Sequence, residues 1–205
     1  MTQDPVASGC STEPFDLPPS CEKALLERFL KAEAMALWTV RSSQLQDVPA
    51  NVLVFLKKHE ADEREHLAQF ESLLGVRSYE RDRLPSVPQQ WPALAVHLFG
   101  YEALGLEFAI LLAGLRPDLT SILEDERVHV GFFEREIKKI LSGHPSAAHQ
   151  ARTSAHAWQR KLPQTLDRYL NDEALNPFRR MLNERIVSAI KRRLIDTGLI
   201  SAEQR

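Results

Sequence analysis

The sequence predicts an all-α protein, a four-helix bundle with a long connection between its second and third helices and a helical C-terminal extension. Apolar residues recur at spacings of three and four along four long segments. No segment carries the alternation that marks a strand. The motif Glu-x-x-His occurs twice, as Glu63-Arg64-Glu65-His66 and as Glu126-Arg127-Val128-His129, on separate helical segments. A Glu and a His three residues apart lie on one helix face, a turn apart. Both side chains of each pair can therefore reach a metal ion in the middle of a bundle.

Length and composition fit this reading. A chain of 205 residues with 43% hydrophobic residues builds one domain with a substantial core. It divides into an N-terminal arm over residues 1–19, a bundle over 20–143 and a basic helical extension over 144–205. Residues 1–145 carry 15 Lys/Arg against 22 Asp/Glu, and residues 146–205 carry 11 against 6, so the body is acidic and the extension basic. No basic patch followed by an apolar run opens the sequence. Residues 103–115 come closest to a membrane span, and Glu107 interrupts them. Cys10 and Cys21 offer no disulfide framework and suit a reducing compartment. Together these features predict a cytoplasmic location. There is no phosphate loop, dinucleotide-binding glycine turn or Cys-x-x-Cys pair.

The first helix is predicted over residues 21–44, with Leu25, Leu26, Phe29, Ala32, Ala36, Leu37 and Val40 as its stripe. Glu33 falls inside that stripe, one turn from Phe29 and from Leu37, either as an inward carboxylate or as a boundary residue paired with Lys31 or Arg41. The second helix is predicted over 49–74, opened by Asp47 and Pro49 and closed by Gly75. His59 lies one turn before Glu63, as an extra ligand, a partner to a ligand or a satisfied neighbour. Residues 76–91 have no period. Sixteen extended residues reach about 50 Å, enough to run the length of a bundle.

The third helix, over 92–115, is apolar almost all round, as a buried helix is. Buried carboxylates need a cation, a proton or a strong donor, so Glu102 and Glu107 point to a metal as well. Glu126 lies nine residues into the fourth helix, predicted over 117–141. Glu107 lies eight residues before Leu115, about 12 Å, and Glu102 thirteen, about 20 Å. The height match predicts Glu107 as the third-helix ligand. Glu102 is then a proton relay or a hydrogen-bond partner to a ligating His, and Tyr101 a hydroxyl donor beside the site. In the extension, Pro163 is expected to break or restart a helix that opens after Pro145, and a last helix is expected over 177–199. Its Arg and Lys residues fit packing on the acidic bundle, in cis or on a partner subunit, or contact with nucleic acid or an acidic protein.

Carboxylates and imidazoles together suit iron or manganese. The expected set is Glu33, Glu63, His66, Glu107, Glu126 and His129. Glu63 and Glu126 would bridge two ions, Glu33 and Glu107 would be terminal, and each His would serve one ion. Four carboxylates balance two divalent cations.

Over residues 20–142 these features resemble the ferritin-like di-iron superfamily. The runs Ala61-Asp62-Glu63-Arg64-Glu65-His66-Leu67 and Ala32-Glu33-Ala34-Met35-Ala36 are similar in pattern and spacing to the demethoxyubiquinone hydroxylases. The run Glu102-Ala103-Leu104-Gly105-Leu106-Glu107-Phe108 is similar to the third helix of the tRNA hydroxylases that act on a methylthio-isopentenyl adenosine. The resemblance implies two iron ions and an oxygen-dependent hydroxylase or oxidase. Its substrate would be a small molecule or a modified nucleoside, with an electron donor and a homodimer as partners. Two other readings stand beside it, an iron- or peroxide-handling protein without an organic substrate and a metal-free helical scaffold. A substrate-sized apolar pocket beside the metals distinguishes the first. Rotated or dispersed Glu63, His66, Glu126 and His129 would mark the last.

Overall fold

The computed structural model describes residues 17–78 and 83–202. The expectation of a loose arm over 1–19 falls mostly outside them, as does Cys10. The described residues form six α-helices: α1 Glu22–Ser43, α2 Ala50–Leu74, α3 Trp91–Leu115, α4 Thr120–Ser142, α5 Pro145–Tyr169 and α6 Arg179–Asp196. Among the described residues there is no strand. Short 3-10 turns at Pro19–Cys21 and Pro117–Leu119 lead into α1 and α4. The two prolines stand where a missing N–H costs nothing. Gly75 closes α2 in the left-handed conformation, at φ 66°.

α1 and α2 form one antiparallel hairpin, with Phe29 and Phe70 packed at 5.0 Å between ring centroids. α3 and α4 form another. Arg116, at the C-terminal end of α3, pairs with Glu22 at the start of α1 at 2.9 Å. Ser42, at the other end of α1, donates to the carbonyl of Pro85 at 2.6 Å, shortly before α3 begins. α1 and α3 therefore run antiparallel, and α2 and α3 run parallel. The connection between them, part of which lies outside the described residues, joins two parallel helices.

α3 is the axis of the molecule. It packs against α1, α4, α5 and α6, which is why its apolar surface has no polar side. It is long and apolar enough to cross a membrane by composition, yet 67% of that window is buried against the other helices. The extension belongs to the same core: Leu162, Leu166, Leu182, Ile186, Ile190 and Leu194 join the cluster built by α1–α4. α5 runs parallel to α3, with Gln150 bonded to Gln90 at one end and Tyr169 against Phe108 at the other.

The expected break at Pro163 does not occur, and α5 runs straight through it. Proline there removes the bond to the carbonyl of Gln159. Pro163 is exposed, while buried Leu162 and Leu166 hold the turn against the core. α6 is shorter than the segment expected over 177–199, and Met181 in it is 41% exposed. The basic helix packs in cis: Arg193 reaches Glu107 and Glu134, each at 3.6 Å.

Candidate metal centre

Four helices each bring one carboxylate to the middle of the bundle, and two of them add histidines. Glu33 from α1, Glu63, His66 and His59 from α2, Glu102 from α3, and Glu126 and His129 from α4 are all at least 96% buried. They form two overlapping groups that share Glu63. One is Glu33, Glu63, His66 and Glu126, and the other is His59, Glu63, Glu102 and His129. Within each group the candidate donor atoms lie within 4.8 Å of one another.

The helical period places the first group. Glu63 and His66 lie one turn apart on α2, Glu126 and His129 one turn apart on α4, and Glu33 interrupts the stripe of α1. His66 Nδ1 lies 3.4 Å from Glu33 Oε2. His129 Nδ1 lies 3.7 Å from Glu63 and 3.5 Å from Glu102. Phe55 and Phe132 stack at 3.6 Å on the α2–α4 side.

Each histidine is oriented from behind. His66 Nε2 meets Asp125 at 3.3 Å, and His129 Nε2 meets Asp62 at 3.2 Å. The carboxylates cross over: the Asp on each helix holds the His on the other. An Nε2–H donated to Asp leaves the Nδ1 lone pair aimed into the cluster, the tautomer a metal ligand needs. Asp62 and Asp125 are members of the cluster's surroundings that the spacing Glu-x-x-His does not reveal. Their signal was available, since both motifs read Asp-Glu-Arg-x-His.

The α3 carboxylate that the fold brings into these groups is Glu102; Glu107, expected as the third-helix ligand, is not brought to them. Glu107 stands outside both groups, buried against α6 with Arg193 at 3.6 Å. Five residues separate the two glutamates, which puts them about 140° apart around the helix. Matching heights along the hairpin could not resolve that angle. His59 sits in the centre, with Nε2 2.9 Å from Glu63 and 3.2 Å from Glu102. Tyr101 is 40% exposed, with its ring edge-on to Trp158, so it lines an approach to the site rather than its interior.

The electrostatics of the cluster ask for cations. Burial and neighbouring carboxylates push Glu126 well above the usual carboxylate range. Burial raises Glu33 to about 7, against a hydrogen bond with Glu63. Burial and Glu33 raise Glu63 to about 8. Burial would lower His59, but Glu102 and Glu63 outweigh it and raise it to about 10. Burial would likewise raise Glu102, but His59 and His129 hold it below the usual range.

Eight buried side-chain polar atoms among the described residues have no hydrogen-bond partner, and six belong to this cluster: Glu33 Oε2, His59 Nδ1, Glu63 Oε2, His66 Nδ1, Glu126 Oε2 and His129 Nδ1. Unsatisfied buried groups are costly, and five of the six are donor atoms of the kind that ligate iron, manganese or zinc while facing the cluster. Gly105 leaves the room Glu126 needs, because a Cβ there would lie 2.9 Å from Glu126 Oε2.

A cavity of about 670 Å³ adjoins the cluster between α1, α3 and α5. Glu33, Glu102 and Glu126 form its floor, and Met35, Leu104, Phe108 and Tyr169 contribute to its walls. Comparisons with protein-family models, with curated proteins and with solved structures returned no match.

Proposed function

We propose that the chain is a ferritin-like binuclear carboxylate protein that binds two iron ions, or manganese, and oxidises an organic substrate with oxygen. Four carboxylates and three histidines supply donors for two divalent ions and leave the buried site near neutrality. The observation that carries the oxidoreductase reading is the cavity, since its 670 Å³ falls in the range that holds small organic ligands. A protein handling only iron or peroxide has no need of such a space.

A bound metal pair would supply the oxygen and electron chemistry that side chains lack. The protein's residues do the rest. Glu63 is shared between the two groups, with Glu33, His66 and Glu126 on one side and Glu102, His129 and His59 on the other. Asp125 and Asp62 hold the two imidazoles in place. The Phe55–Phe132 stack lies on the α2–α4 side, and the open route is the cavity. Tyr101, expected as a hydroxyl donor, lies on the wall of that route and would position substrate there. An external electron donor completes the cycle.

The test is anaerobic titration with ferrous iron followed by oxygen-uptake measurement, on the wild type and on His66→Ala/His129→Ala. Two irons per chain and oxygen consumption, both lost in the double variant, support the reading. Absence of bound iron in the wild type overturns it.

A further inference from the structure

The cavity's mouth has a charge pattern that the metal cluster does not account for. The carboxylates that line the cavity are Glu33, Glu102 and Glu126, all on its floor. Four cations line it as well: Arg28 and Lys31 from α1, and Lys161 and Arg168 from α5. Arg28 is compensated by Asp172 at 3.2 Å. Lys31, Lys161 and Arg168 are exposed and make no ion pair among the described residues. His97, also on the lining, is pushed down to about 4 by burial and by Lys161, so it stays uncharged at neutral pH. Met35, Leu104, Phe108 and Tyr169 give the lining an apolar share, beside the uncharged polar side chains of Thr39, Ser86, Gln164 and Thr165.

From this arrangement we infer that the ligand is an amphipathic organic anion, with its acidic group held at the rim by Lys31, Lys161 and Arg168 and its apolar body lying inward toward Glu33 and Glu126. The inference rests on the proposed metal centre for the fate of that body, but the binding it describes needs no metal. Three cations without an ion pair among the described residues, lining one cavity, raise the local concentration of anions and orient them head outward. An anion entering the other way would bring its charge against the carboxylates of the floor. A neutral ligand would gain the apolar walls but leave the rim unused. The C-terminal extension thereby acquires a role, because α5 supplies two of these three cations, Lys161 and Arg168, and one wall.

Carboxylate and phosphate head groups share the chemistry the rim would recognise, and matched probes separate them. Isothermal titration of the metal-free full-length protein would compare 2-naphthoate with 2-naphthalenemethanol, and dodecanoate with dodecanol and dodecyl phosphate. The expected result is at least tenfold tighter binding of an acid than of its alcohol. That preference should disappear in Lys161→Glu/Arg168→Glu and return in Lys161→Arg/Arg168→Lys, which keeps the charge. A stronger response to dodecyl phosphate than to dodecanoate would assign the head group as phosphate, and the reverse as carboxylate. Equal binding of acids and alcohols, no binding of any acid, or a preference that survives charge reversal would overturn the inference.

Ferrous titration of the same proteins keeps the two readings apart. The charge-reversed variant should take up metal like the wild type. Anion binding without metal uptake would retain the ligand assignment and sink the metal reading.

Discussion

Metal-free protein should lose stability as pH rises from 5 to 7.5, in the window where most proteins are near their maximum. Glu33, Glu63 and Glu126 have folded-state pKa values raised above the ordinary carboxyl value near 4.5. A raised group contributes stability that is fully present below its unfolded pKa and is lost as pH rises through its folded pKa. With Glu33 raised to about 7 and Glu63 to about 8, the loss begins near 4.5 and spans the neutral range. Each proton that the folded state retains and the unfolded state has released gives a slope of about 1.4 kcal/mol per pH unit. One shared proton over two units costs about 3 kcal/mol, and three protons would set a limiting slope of about 4 kcal/mol per unit. For a chain of this length, 3 kcal/mol lowers the melting temperature by roughly 6–12 °C. His59, raised to about 10, adds to the loss above its unfolded value of 6.5. The depressed carboxylates Glu60, Glu71 and Asp118 titrate below this window, whereas His97, lowered to about 4, gains stability up to its unfolded value of 6.5 and offsets about one proton of the loss there, so the net fall below pH 6.5 comes from the remaining carboxyl protons. The assay is urea unfolding followed by circular dichroism at half-unit pH steps with a chelator present. Anaerobic ferrous iron or manganese should reverse the slope, because metal binds deprotonated ligands and stabilises the folded state in proportion to its occupancy. Glu33→Gln/Glu63→Gln should flatten the metal-free profile. Stability that stays level or rises between pH 5 and 7.5 in the metal-free wild type would refute the reasoning.

Other predictions concern single residues. Glu102→Gln should lower iron stoichiometry or affinity while Glu107→Gln leaves both unchanged, as measured by anaerobic titration, since only Glu102 belongs to a donor group. Asp62→Asn and Asp125→Asn should each weaken metal binding about 10- to 100-fold by loosening the histidine on the opposite helix, with little change in metal-free unfolding. Gly105→Ala should displace the Glu126 carboxylate and reduce metal affinity, yet leave metal-free stability equal or up to about 1 kcal/mol higher through helix propensity. Gly100→Ala should cost about 1–3 kcal/mol by overpacking and change the near-ultraviolet dichroism of Trp158, because a Cβ there runs into the Trp158 indole.

The parts of the site that were legible in sequence are those where a helix has two unlike faces. α1, α2 and α4 each carry a polar side, so the apolar stripe fixes an azimuth and shows that Glu33, Glu63, His66, Glu126 and His129 point inward. α3 has no such asymmetry. Its apolar residues contact four helices, and nothing in the pattern distinguishes the side facing α4 from the side facing α6. Glu102 and Glu107 are therefore equivalent in azimuth by sequence, and height alone favours Glu107, which the fold leaves outside both donor groups. His59 was visible as a neighbour of Glu63, but its contact with Glu102 depends on another helix. The cavity was not legible either, because α5 forms one wall and its placement along α3 depends on tertiary packing at Gly100 and Phe108. Pro163 is a local exception: propensity penalises it, but its exposed position and the two buried leucines beside it override that penalty.

The most direct test of the central claim is anomalous diffraction at the iron edge from crystals grown after anaerobic ferrous loading. The account predicts two peaks, one among Glu33, Glu63, His66 and Glu126 and one among His59, Glu63, Glu102 and His129. No anomalous density within that cluster, in protein shown to be folded and exposed to iron, would contradict it.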